Sequence, residues 1–326
     1  MALNSSELIK EAKEQKLLIY KKDRKTKIAT LTINRPERLN AVSVGMRLLY
    51  ADLLHRANID DEVKVLVLRS EGKHCGTGAD LAEQFKGYGE GPGGTPLHEF
   101  QIDDDPPDVV YPHKDSFRYI HGVCELYSKP RSSCRSLQEF KKISIYEAKG
   151  YCYGWHFYQA GDADLIISSE DALFGHPAFR YVGWGPRLWT WVETIGLRRF
   201  SEMLFTGRPF SAKEMYDCNF VNSVVPRAQL EAETLKYAMA CSLTRPVDTV
   251  AVQKTFLEIY KQYRGEYMGS SLTAMVESLW PYMRHEPGDP QFTADVLDTG
   301  VNKMVKDMEQ HYPPQWRMSV SGRKRK

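Results

Sequence analysis

Two glycine-containing segments carry the residue types from which a reactive site could be built: HCGTGADL (74–81) and AKGYCYGWHFYQAGDADLIISSEDALFGHP (148–177). Each follows a β-rich run, turns on glycine and enters a helical pattern. At such a turn the backbone N–H groups are not consumed by the strand and can point at a ligand oxygen. Two turns of this kind converging on one point would form a two-donor oxyanion hole, which stabilises a carbonyl oxygen as it gains charge. Ionisable side chains gather around the second segment: His156, Tyr158 and His176, with Asp162, Arg180 and Glu193 further out. A histidine titrates near neutrality and suits water activation or proton abstraction. Residues 156 and 158 stand two apart on a helix and face about 200° from each other. Both are not expected to line one pocket unless the helix starts between them.

The elements that must position these groups read as an α/β chain. KLLIYKK (16–22) and KIATLTIN (27–34) are β-rich runs joined by polar residues, a hairpin pattern. NRPERLNA (34–41) is turn chemistry, and Ser43 to Asn58 shows helical apolar spacing at Met46, Leu49, Leu53 and Leu54. VKVLVLRS (63–70) is a short continuous apolar run, the mark of a strand buried on both faces. KKISIYEAKG (141–150) and DADLIISS (162–169) are further strands, bracketing a helix that begins near Trp155. Strand–helix alternation of this kind argues for a sheet with crossover helices. LRRFSEMLFTG (197–207) and SAKEMYDCN (211–219) read as helices, FVNSVVP (220–226) as a short strand, and the chain beyond Arg227 as helical. Between Gln84 and Cys134 the periodicity breaks down, as in a lid or binding loop; Tyr111, His113, Tyr119 and His121 lie there as candidates to fold over a substrate.

Composition narrows the classes. A chain of 326 residues is long enough for one sizeable α/β domain with a smaller appendage. A formal net charge of +2 gives no reason to expect nucleic acid as a partner. The basic end GRKRK (322–326) reads as a solvated, disordered tail. The six cysteines (Cys75, Cys124, Cys134, Cys152, Cys218 and Cys241) show no metal-ligand spacing, so no metal is expected and the thiols should be reduced. No secretory h-region and no membrane-length apolar run is visible, so the expectation is a cytoplasmic protein without a membrane partner.

From LTINRPERLNAVS (31–43) to SAKEMYDCNFVNSVV (211–225), both glycine turns included, the sequence resembles the crotonase superfamily of enoyl-CoA hydratases and isomerases. The resemblance implies a ClpP/crotonase-like spiral core of repeated ββα units over residues 15–225, interrupted by a lid-like insertion near 86–138. It further implies a helical region, 226–310, that packs on neighbouring subunits in a homotrimer or homohexamer, followed by the tail, 311–326. The substrate would be a small molecule, an acyl-CoA thioester, with coenzyme A part of the substrate and no separate cofactor. The thioester oxygen would lie between the N–H groups of Ala79 and Trp155. Trp155 is the second position of a triplet, Gly154-Trp155-His156, that is usually glycine-rich, so its bulk is expected to crowd or shape the pocket. Asp80 would orient its turn, Asp164 would be structural, and Arg35 and Arg38 would lie near the CoA phosphates.

The sequence departs from the family where the chemistry sits. Hydratases of the family use two glutamates to position and activate water; carried over by residue, these fall on Tyr158 and Ala178. With both carboxylates absent, His156 and His176 become candidate bases. The aromatic density around the site, Trp184 included, suggests a bulky or cyclic substrate, with Ala178 and Trp184 on the pocket wall. The resulting expectation is hydrolytic carbon–carbon cleavage, a retro-Claisen reaction on an acyl-CoA or β-dicarbonyl. An atypical enoyl-CoA hydratase or isomerase, and an inactive acyl-CoA-binding homologue, are the alternatives.

Overall fold

A computed structural model describes residues 5–83, 116–118, 121, 124, 136–180, 183–279, 284, 286–289 and 301–324. Its frame is a six-stranded sheet in the order β1-β2-β3-β4-β6-β9. The strands are β1 (Leu18–Asp23), β2 (Ile28–Ile33), β3 (Val65–Ser70), β4 (Ile143–Ala148), β6 (Leu165–Ser169) and β9 (Ser223–Val225). β1 and β2 pair antiparallel as the expected hairpin, and every other pairing in this sheet is parallel. A second sheet of β5 (Tyr151–Tyr153), β7 (Leu173–Gly175) and β8 (Phe210–Ser211) stands beside it.

The apolar run of β3 is buried on both faces, as its composition demands. Leu66 and Leu68 pack into the main core with Met46, Leu49 and Leu54 of the helix Val44–Ile59. Val65 and Val67 point the other way, onto Leu230 and Ala238 of the helix Leu230–Leu243. The helix Val44–Ile59 starts where Ser43 Oγ accepts the Met46 N–H, an N-cap that meets one otherwise unpaired donor. The Arg187–Asp162 ion pair, its two side chains each 1% exposed, ties the helix Trp155–Asp162 to the helix Leu188–Ile195. Arg187 also bonds Thr190 Oγ1 (3.0 Å), which donates to Glu266 Oε1 (2.8 Å) and so fastens the helix Glu266–Leu279.

Among the described residues, no helix is long and apolar enough to cross a membrane. Cys75, Cys124, Cys152, Cys218 and Cys241 are free thiols, and Cys134 lies outside the described residues. So do Tyr111, His113 and Tyr119 of the lid-like segment, while His121 is exposed.

The tail requires a correction. The residues from Tyr312 to Arg323 are docked, not disordered: Met318 is buried with Tyr153 and Leu173, and Tyr153 Oη donates to the Met318 carbonyl at 2.8 Å. Val320 N–H donates to Tyr151 Oη (2.8 Å), and the Arg180 guanidinium lies 3.8 Å from the Tyr312 ring centroid. The basic composition of GRKRK masks the aromatic and apolar anchors just before it, and those decide the docking.

Candidate functional site

Asn40 anchors the first turn. Its Nδ2 donates to the carbonyls of Glu71 (2.9 Å) and His74 (3.0 Å), and its Oδ1 accepts the Arg35 N–H (2.8 Å). Val42 N–H donates to the Gly78 carbonyl and Asp80 N–H to the Val42 carbonyl, each at 2.9 Å, a ladder that skips the N–H of Ala79. In the second turn Gly154 N–H donates to the Gly175 carbonyl (3.1 Å), and Trp155 opens its helix. Among the described residues neither the Ala79 nor the Trp155 N–H donates to a backbone carbonyl. The turns touch: a Cβ on Gly78 would stand 3.3 Å from Gly154 Cα and 3.5 Å from Trp155 N. Gly78 and Gly154 have φ of +107° and +55°, so both conformation and close approach call for glycine. The turns at Gly78 and Gly154, 76 positions apart in the sequence, therefore meet.

The side chain of Trp155 does not crowd a pocket in front of this pair. It is 3% exposed and turns into the core, edge-on to Tyr50 with centroids 4.8 Å apart. Only its backbone remains at the turn.

His156 is likewise turned away from the turns. It is fully buried, with Nε2–H donating to the Asn40 carbonyl (2.8 Å) and Nδ1 accepting from Tyr146 Oη (3.3 Å). Burial drives its pKa down to about 4, partly opposed by the Asn40 hydrogen bond. With both nitrogens engaged it is a neutral strut beneath the first turn, where Gly76 makes room for it: a Cβ there would come within 2.1 Å of Nε2. A role for His156 as the base would require breaking one of these bonds.

Tyr158, on the opposite side of the same helix, meets His176. Tyr158 Oη and His176 Nε2 share a hydrogen bond at 3.3 Å. His176 Nδ1 is buried and without a partner among the described residues, and burial pushes the imidazole down to about 3. Phe179 and Trp191 pack on the His176 ring at centroid distances of 5.0 and 5.7 Å. The helical geometry that separates His156 from Tyr158 has thus divided their roles.

The remaining predicted residues fall into place less uniformly. Arg35 is drawn into an ion pair with Asp80 (2.8 Å) and also donates to the Ala41 carbonyl (2.9 Å). This pair braces the first turn and occupies the guanidinium expected near a phosphate. Arg38 stands exposed on the neighbouring turn. Ala178 is half-buried in the turn Pro177–Arg180, and its carbonyl accepts the Gly183 N–H (2.8 Å). Trp184, expected on the pocket wall, donates from Nε1 to the Thr273 carbonyl (3.2 Å) and so joins its segment to the helix Glu266–Leu279. Asp164 binds Ser144 N–H (2.8 Å) and Lys254 Nζ (2.7 Å), a structural position. Asp162 and Glu193 pair with Arg187 and Arg264, and Arg180 bonds the Gly207 carbonyl.

One group was missed. Glu277, on the helix Glu266–Leu279, has a buried Oε2 without a partner among the described residues, and burial pushes its carboxyl up to about 8. The available signal was periodicity: Ser270, Thr273, Ala274 and Glu277 share one helical face.

A mostly parallel sheet feeding two glycine turns that meet at their backbones defines an α/β fold of the crotonase type. A family model described as enoyl-CoA hydratase/isomerase matches residues 125–269. Hydroxycinnamoyl-CoA hydratase-lyase of Pseudomonas fluorescens is 26% identical over 234 residues, 70% of this chain and 74% of its own. Mevalonyl-coenzyme A hydratase of Aspergillus fumigatus is 26% identical over 230 residues, 69% of this chain and 72% of its own. An enoyl-CoA hydratase of Mycobacterium smegmatis shares the fold with a TM-score of 0.73 at 21% identity, over 93% of this chain and 97% of that one. The chain is thus similar in sequence to enoyl-CoA hydratases and isomerases and shares their fold.

Proposed function

We propose that this protein is an enzyme that holds the enolate or oxyanion of an acyl-CoA thioester or a related β-dicarbonyl. Its reaction is hydrolytic cleavage of a carbon–carbon bond in a bulky or cyclic substrate. The observation that carries this reading is the meeting of the Gly78 and Gly154 turns, with Tyr158 at one position where a hydratase would need a carboxylate and its partner His176 two residues before the other, Ala178. The relatives' names support acyl-CoA chemistry, and one of them carries an aromatic acyl group. Tyr158, Phe179 and Trp191 pack together in the core behind His176, so the broad, flat substrate rests on the aromatic density of the surrounding sequence.

The proposed roles use this geometry. With Nε2–H donated to the Tyr158 oxygen, His176 Nδ1 presents a lone pair. It takes a proton from water as the water oxygen attacks a ketone carbonyl. The carbon–carbon bond then breaks, its electron pair passes into an enolate, and the N–H groups of Ala79 and Trp155 hold the enolate oxygen. Protonation at carbon releases the product. Desolvation makes His176 a weak base in the empty site, and the oxyanion forming nearby stabilises the imidazolium that results.

Incubation in H₂¹⁸O with cyclic β-ketoacyl-CoAs, cyclic β-diketones and enoyl-CoAs, followed by mass spectrometry, tests the reading. Label in a ring-opened carboxylate is the expected result. Label in a hydroxyacyl-CoA would mean hydration without the glutamates, and no turnover would mean a binding protein. A homotrimer or homohexamer belongs to the same proposal. Val252, Phe256, Ile259 and Tyr263 form an exposed apolar stripe on the helix Val247–Tyr263, each at least 64% exposed. Sedimentation as a monomer would refute the assembly.

A further inference from the structure

Burial of an acid without a counter-charge is costly, so an uncompensated one calls for an explanation. Buried Asp162, Glu147 and Glu266 each face an arginine: Arg187, Arg69 and Arg187 again. Glu277 has no such partner among the described residues, and burial alone sets its protonation. Burial pushes the carboxyl up to about 8, and its shielded Oε2 has no partner among the described residues.

Its place in the fold gives that proton a direction. The helix Glu266–Leu279 runs alongside residues 184–190 in the opposite order. Glu266 meets Thr190 (2.8 Å), Gly269 lies against the Trp189 ring, and Thr273 bonds the Pro186 carbonyl (2.9 Å) and accepts from Trp184 (3.2 Å). Each turn of the helix thus meets a residue earlier in the segment. Glu277 is one turn past Thr273, about 6 Å further along the axis. The segment leads in that direction to Gly183, whose N–H is bonded to the Ala178 carbonyl (2.8 Å). Gly185 on the same segment abuts the His176 ring: a Cβ there would come within 2.8 Å of it. Continuing the register of these contacts by one turn directs Glu277 toward the corner vacated at Ala178.

We infer that Glu277 is the general acid that delivers a proton to the enolate carbon. The inference rests on the enolate reading above and supplies the donor which that reading left unassigned. In the step, the enolate carbon takes the Glu277 proton and the C=O bond re-forms. The Glu277 carboxylate is then reprotonated by the imidazolium of His176, which returns both groups to their neutral forms. The proton taken from water thereby ends on the product, and no oxidant or further reactant is needed.

Glu277→Gln keeps the shape and removes the transferable proton. On the substrate found in the labelling panel, kcat should fall by about 10²–10⁴, the usual worth of a positioned acid, with KM within about threefold of wild type. Wild-type kcat should decline as pH rises through about 8, and the residual activity of Glu277→Gln should lack that limb. Glu277→Asp should restore part of the rate. Wild-type kcat in Glu277→Gln would overturn the inference. A second readout covers failure of the cleavage reading or of folding in the variant. A wild-type infrared spectrum, with Glu277 isotope-edited through ¹³C-glutamate labelling, should show a protonated carboxyl at pH 7 that shifts when acetoacetyl-CoA binds. A protonated carboxyl that shifts supports the inference even if no panel substrate is cleaved; an ionised carboxylate, or a band indifferent to the thioester, overturns it whatever the reaction proves to be.

Discussion

Acidification should unfold this protein by a route that two histidines set. His156 and His176 are pushed by burial to about 4 and about 3, so both stay neutral in the folded chain at pH 5. In the unfolded chain each takes a proton below about 6.5. A group with its folded pKa lowered in this way stabilises the fold above the unfolded value and loses that contribution as pH falls. Between pH 6.5 and 5 the loss is about 1.4 kcal/mol per pH unit, or about 2 kcal/mol for each histidine and about 4 kcal/mol for the pair. The size depends on the unfolded value and on the folded values lying below 5, not on how far below they lie. Urea unfolding followed by tryptophan fluorescence, at pH 7.5 and at pH 5.0, measures it. Wild type should lose about 4 kcal/mol from these two groups, and His156→Gln and His176→Gln should each lose about 2 kcal/mol less, whatever their stability at pH 7.5. A pH dependence in His156→Gln equal to that of wild type would refute the buried, doubly bonded placement of this ring.

Three further outcomes are expected. Gly78→Ala adds a Cβ 3.3 Å from Gly154 Cα at a φ of +107°, so the turns must part; kcat on the panel substrate should fall by about 10²–10³, as when one oxyanion donor is lost, and unchanged turnover would remove Ala79 from the site. Arg187→Met leaves Asp162 and Glu266 buried without their cation and should cost about 3–5 kcal/mol in chemical denaturation, whereas a loss below about 1 kcal/mol would contradict the buried network. Asn40→Ala removes three hydrogen bonds and orphans the Glu71 and His74 carbonyls; a loss of about 2–4 kcal/mol is expected from thermal melts, and a neutral result would mean that the loop does not depend on its side chain.

Local patterns were enough for the elements that depend on local patterns. The continuous apolar run of β3, the Ser43 cap with its helix, and the hairpin of β1 and β2 could each be read from a few neighbouring residues, because strand burial, capping and turn chemistry act over short distances. The short strands β5, β7 and β8 carry too few residues to show a period, and no helix was anticipated over Leu188–Ile195. The docking of the tail escaped notice because its charged end dominates the composition while Met318 and Trp316 form the contacts.

At the site the division is sharper. By itself the sequence determined two glycine turns, a helix opening at Trp155, and opposite directions for His156 and Tyr158, since backbone conformation and helical period are local properties. Only the tertiary structure decided that His156 faces Asn40 and Tyr146, that Arg35 pairs with Asp80, and that Trp155 buries its ring against Tyr50. It alone decided that the Oε2 of Glu277, far along the chain, is shielded with no partner among the described residues. Partners, burial and pKa depend on which distant residues supply a hydrogen bond or exclude water, and sequence spacing does not encode those distances.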